Sequence, residues 1–139
     1  MATAQVVKTV EAPVSVVWAQ LSDFTGIQVG GPIESFSFEG EGEGMVRTIG
    51  MGGGAVVERL EEHNPEARRF TYTIINDDSP LPFTNYRATV QMGDNGDGTT
   101  TVIWTGTFEA RDVPEAEAIS VATGIYAGAI KGAQILLED

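Results

Sequence analysis

Hydrophobic and polar positions alternate through the middle of this chain and recur at helical spacing towards both ends. Residues 4–11, AQVVKTVE, have a β-branched bias that predicts a first strand. Pro13 then opens a helix through about Leu21, because Val14, Val17, Trp18 and Leu21 fall on one face. The following SDF offers Ser22 or Asp23 as the cap of a second short helix, stopping near Gly30, Gly31 and Pro32.

From Ile33 to Ala110 the pattern has period two. Phe70, Tyr72 and Ile74 alternate with Thr71 and Thr73, and Tyr86, Ala88, Val90 and Met92 with Asn85, Arg87, Thr89 and Gln91. Val102, Trp104 and Phe108 stand against Thr101, Thr105 and Thr107. Threonine on the polar phase predicts an antiparallel sheet with one packed and one wet face. GDNGDG (93–98) reads as a hairpin turn between the last two strands. Its acids lack the distal glutamate and flanking helices of a calcium loop.

The last segment, from Asp112, predicts one long helix, with Asp112 and Glu115 spaced as a capping box and Pro114 in the first turn. Ile119, Ala122, Tyr126, Ala129, Ala133 and Leu136 form its apolar stripe. Gly124, Gly128 and Gly132 recur every four residues. Each costs a helix about 1 kcal/mol against alanine, so their spacing suggests close approach of a sheet or room for a ligand. The order of strand, two short helices, six strands and a long helix predicts one α+β domain over residues 1–139. A curved seven-stranded antiparallel sheet wrapped around the terminal helix buries both apolar faces.

Composition narrows the chemistry. Hydrophobic residues make up 42% and charged residues 20%, as in ordinary globular domains. The absence of cysteine excludes disulfides, thiolate metal sites and a cysteine nucleophile. The one histidine, His63, precedes Asn64 and Pro65 and reads as a surface turn residue, so no metal site is expected. GEGEG and MGGGA neither open a helix nor carry a lysine, which makes them turns rather than phosphate loops. A net charge of −12 disfavours nucleic acid and anionic lipid. The start has no basic stretch leading into an apolar run, and nowhere do eighteen apolar residues run together. The expectation is therefore a cytoplasmic monomer or homodimer without integral membrane association.

The stretch GMVRTIGMGGGAVVERLEE (44–62) reads as a hairpin. If Gly52 and Gly53 form the turn, Met51 pairs with Gly54, Ile49 with Val56, Arg47 with Glu58 and Met45 with Leu60. A three-residue turn would instead oppose Arg47 and Arg59, a like-charge pair. Arg47 and Glu58 suit either an exposed ion pair, worth at most about 1 kcal/mol, or two polar groups aimed into the interior. The pattern leaves both open, because Val46 and Val57 on the other phase are also apolar.

Several phrases, in order, carry a resemblance over essentially the whole chain: EAPVSVVWAQLSDF (11–24), GEGMVRTI (42–49), VVERLEEHNPEARRFTYTI (56–74), SPLPFTNYRATV (79–90), TTTVIWTGTF (99–108) and the helix bearing Tyr126. Together they resemble the START-like or Bet v 1-like (SRPBCC) superfamily. The sequence is most similar there to bacterial polyketide cyclase/dehydrase-like proteins and plant lachrymatory-factor synthases, and more distantly to abscisic-acid receptors. The resemblance implies a helix-grip fold with a deep pocket between sheet and terminal helix.

It also implies roles. The arginine and glutamate that carry the chemistry of lachrymatory-factor synthases align with Arg47 and Glu58. Glu58 would take a proton from the substrate and Arg47 would stabilise the developing anion. With the pair facing the interior, the residues themselves suggest that Tyr72 and Tyr86 orient the substrate and that Phe24, Trp104, Phe108, Ile119 and Tyr126 wall the pocket, and plain core packing suits each of these aromatics as well. Residues 76–85 resemble the receptors' gate loop, with Leu81 closing over the mouth, and suit a rigid surface turn equally; Asn85 at the end of the loop joins the candidate ligand-binding residues. No cofactor is implied. The function that follows is binding of a hydrophobic or aromatic molecule, either by a cofactor-free cyclase, dehydratase or isomerase or by a non-catalytic carrier or sensor. A regulatory module whose gate loop docks a partner is a third reading.

Overall fold

The structure is a computed structural model in which residues 1–138 are described. Strand β1 (Ala2–Val10) leads into helix α1 (Val14–Leu21). Six strands follow: β2 (Ser35–Glu39), β3 (Val46–Met51), β4 (Gly54–Asn64), β5 (Arg69–Ile74), β6 (Phe83–Asp94) and β7 (Thr100–Ala110). Helix α2 (Glu115–Leu137) completes the chain. The strands form one antiparallel sheet in the order β1-β7-β6-β5-β4-β3-β2. This is the helix-grip α+β fold, with Ala118, Ala122, Tyr126, Ile130 and Ala133 of α2 buried against the sheet's apolar face.

One helix, not two, follows β1. The Asp23 carboxylate accepts from the backbone N–H of Thr25 (3.0 Å) and from its hydroxyl (2.6 Å), which makes a local turn instead of capping a helix. Gly31, at φ +55°, then lies within a tight turn closed by the Gly30–Ile33 bridge. At the start of α2 the expected capping box is also absent. Pro114 occupies the cap position, so Asp112, at φ +61°, lies two residues too early to reach the first-turn N–H groups.

His63 lies in β4, not in a surface turn. A bulge between Leu60 and Glu62 rephases the strand, so His63 opposes Phe70 and its half-buried ring lies 5.3 Å from that of Trp18. By length and mean hydropathy alone, 1.2 over its most apolar window, α2 would pass for a membrane-spanning segment, despite the lack of an unbroken apolar run. Here it is the helix that the sheet grips.

Candidate functional site

The β3–β4 hairpin has the register that the glycine turn dictates: Met51 opposes Gly54, Ile49 opposes Val56 and Arg47 opposes Glu58. This places the charged pair on the inner face, with Arg47 9% and Glu58 7% exposed. Arg47 Nε donates to Glu58 Oε1 at 2.8 Å, and Nη2 lies 2.7 Å from the same oxygen. Nη1 donates to the Phe24 carbonyl at 3.3 Å, and the guanidinium carbon sits 3.8 Å from the Phe24 ring centroid. The cation is thus held by a carboxylate, a carbonyl and an aromatic face, which compensates its removal from water. A guanidinium has five N–H groups. One on Nη1 and one on Nη2 remain free of these contacts.

Arg47 borders a cavity of about 420 Å³ between the sheet, residues 20–33 and the C-terminal half of α2. Phe70, Trp104 and Ala133 are its buried lining, while Ile27, Ile33 and Leu136 supply more exposed apolar walls. Gln20, Asp23 and Gln28 add polar groups. Among the residues expected at a site, Arg47 and Trp104 border this cavity, and Glu58 and Phe24 are in direct contact with Arg47.

The others lie elsewhere. Tyr72, Tyr86 and Tyr126 form a buried hydroxyl chain behind the cavity wall. The Trp104 indole N–H donates to Tyr72 Oη (3.2 Å), which lies 3.3 Å from Tyr86 Oη, itself 2.5 Å from Tyr126 Oη. The chain ties β5, β6 and β7 to the middle of α2. Gly106 makes this possible, since a Cβ there would lie 1.9 Å from Tyr126 Oη. Burial raises the hydroxyl pKa values of all three tyrosines, Tyr126 to about 12, and the Glu58 carboxylate adds to the rise at Tyr72 and Tyr126. They are neutral hydroxyls near pH 7. Phe108, Ile119 and Leu81 belong to the core packing beyond them. Asn85 is exposed at φ +52°, where its amide donates to Glu109 (2.9 Å), so it takes no part in this interior.

Sequence reasoning missed Phe70, although it shares the phase of Tyr72, and the wall given by residues 26–28, where a second short helix is expected. The glycine spacing of α2, which suggests room for a ligand, meets the cavity at Gly132, beside Ala133, Ile135 and Leu136.

A helix-grip domain with a largely apolar cavity containing one buried arginine defines a small-molecule-binding class. Residues 1–137 match the family described as polyketide cyclase / dehydrase and lipid transport, and the chain belongs to that family. It is similar to the protein XoxI from Bacillus cereus, with 31% identity and a TM-score of 0.85, covering 100% of this chain and 97% of that one. Ara h 8.0201 shares the fold at 18% identity and a TM-score of 0.80, over 99% of this chain and 98% of its own. Norcoclaurine synthase from Thalictrum flavum shares it at 15% identity and a TM-score of 0.76, over 99% and 86%. No curated protein matches the sequence. The fold and family are those of SRPBCC, or Bet v 1-like, ligand-binding proteins.

Proposed function

We propose that this protein binds an apolar or aromatic molecule in the 420 Å³ cavity, with a carbonyl or acidic oxygen of the ligand on the free N–H groups of Arg47. The observation that carries the reading is that Arg47 borders a mostly apolar cavity while its position is fixed by Glu58 and Phe24. A preorganised donor that is largely removed from water favours a ligand acceptor more than the same donor in bulk water does. Native mass spectrometry of freshly purified protein tests it. The expected result is a co-purifying small molecule that is released on unfolding and lost in a Trp104→Ala variant. Retention by that variant would place the ligand elsewhere.

A catalytic version of the same site needs the Glu58 carboxylate, which touches Arg47 but does not itself line the cavity, to reach the ligand. Both Arg47 contacts converge on Glu58 Oε1, so Oε2 carries no bond from a described residue. Oε2 would accept a proton from a carbon acid, Arg47 would hold the resulting oxyanion, and Glu58 would return the proton to another atom, completing an isomerisation, or to a leaving hydroxyl, completing a dehydration. Once the ligand is known, Glu58→Gln separates the readings. Loss of turnover by orders of magnitude with binding kept supports catalysis, whereas an effect on binding alone supports a carrier or sensor.

A further inference from the structure

The ligand-binding reading leaves open how a molecule reaches Arg47, and the two ends of the interior are built differently. At the end where a gate loop was expected, residues 76–82 are bonded to their surroundings throughout. The Asn76 side chain accepts from Val57 N–H (2.9 Å) and donates to the Ala55 carbonyl (2.8 Å). The Arg111 guanidinium donates to the carbonyls of Asp77 (2.8 Å), Ser79 and Leu81 (2.6 Å), and the Arg111 backbone N–H to that of Pro82 (2.9 Å). Pro80 packs against the Gly52–Gly54 turn.

At the other end, residues 25–33 bond only to one another and to Asp23 among the described residues. They face Ile135 and Leu136, which line the cavity yet are 52% and 41% exposed. Few bonds to the rest of the fold mean a low cost of local opening. The segment is anchored at its root, where Arg47 holds the Phe24 carbonyl.

We infer that ligands pass between residues 25–33 and the last turns of α2, and that the 76–82 end stays shut. The molecule enters acceptor end first towards Arg47. Asp23, Gln20 and Gln28 remain at its outer end, which is therefore neutral-polar or cationic. This rests on the binding reading above.

The chain has no cysteine, so introduced thiols are unique. A Cβ at position 52 would lie 3.5 Å from Pro80 Cβ, within disulfide range, so Gly52→Cys with Pro80→Cys clamps the 76–82 loop. A Cβ at position 132 meets nothing within 4 Å, so Gly132→Cys places a thiol at the mouth for a bulky maleimide. The probe is anilinonaphthalene sulfonate, followed by stopped-flow fluorescence. Oxidising the 52/80 pair should leave its association and release rates within about twofold of the reduced form, which also controls for strain at φ +58°. Maleimide at position 132 should slow both by about tenfold or more. The reverse pattern overturns this route and leaves the binding reading intact. Failure of the unmodified protein to bind the probe removes both.

Discussion

Arg47 and Glu58 stand directly opposite each other across the β3–β4 hairpin, and both guanidinium contacts, at 2.8 and 2.7 Å, fall on one carboxylate oxygen. Such a pair is costly to break, because whichever partner remains is a buried, uncompensated charge. Glu58→Leu or Arg47→Met alone should cost about 3 kcal/mol or more. The double variant should cost much less than the sum, since it removes both charges. Urea unfolding of the four proteins measures the coupling; additive losses would mean that the pair is solvated and energetically minor.

Gly106 and Tyr126 make a second coupled pair. A methyl group at position 106 would meet Tyr126 Oη at 1.9 Å and the ring carbon that bears it at 3.0 Å. Gly106→Ala should therefore destabilise by about 1–3 kcal/mol, as overpacked cores do. Tyr126→Phe alone loses the 2.5 Å contact with Tyr86 and should cost about 1 kcal/mol. Combined, the two should cost less than their sum, because deleting the hydroxyl removes the worst clash. Denaturant midpoints decide it, and strict additivity would show that α2 shifts aside instead.

Most of the architecture was legible because it rests on periodicity. The alternation of Phe70, Tyr72 and Ile74 with threonines marked a two-faced strand, and Gly52 and Gly53 fixed the register that opposes Arg47 and Glu58. What was not legible depends on single hydrogen bonds. Asp23 could cap a helix or close a turn on Thr25, and only the three-dimensional context selects the turn. The bulge that swings His63 inward adds one residue to β4 and leaves no mark in the hydrophobic pattern. The tyrosines were placed on the correct face, but whether they border a cavity or lie behind Trp104 depends on packing depth, which periodicity does not encode.

The hydroxyl chain gives a pH prediction. The chain's three tyrosines are Tyr72, Tyr86 and Tyr126, and all have raised pKa values through burial. Their folded pKa values lie above the unfolded value of about 10. Their contribution to stability is fully present below about pH 10 and falls as pH rises towards the folded values, about 12 for Tyr126. The sign follows because, above pH 10, the unfolded chain binds fewer protons than the native one. Ultraviolet titration should show no tyrosine ionisation in the native state near pH 10, followed by a cooperative rise that coincides with loss of circular dichroism. A smooth titration near pH 10 in folded protein would contradict the buried chain.

The glycines of α2 admit a test between two explanations. Close approach of the sheet would leave no space for a side chain, yet a Cβ at Gly124, Gly128 or Gly132 meets nothing within 4 Å. All three positions are exposed, so packing gives no return for their conformational freedom. Gly124→Ala and Gly128→Ala should then each stabilise the fold by about 0.5–1 kcal/mol, by restricting the unfolded chain and favouring the helix. For a domain of this size that is a rise in melting temperature of roughly 2–4 °C per substitution. Differential scanning calorimetry reads it directly. A fall in melting temperature on either substitution would mean that the helix packs against something at that face in solution, which would make the glycines an interface.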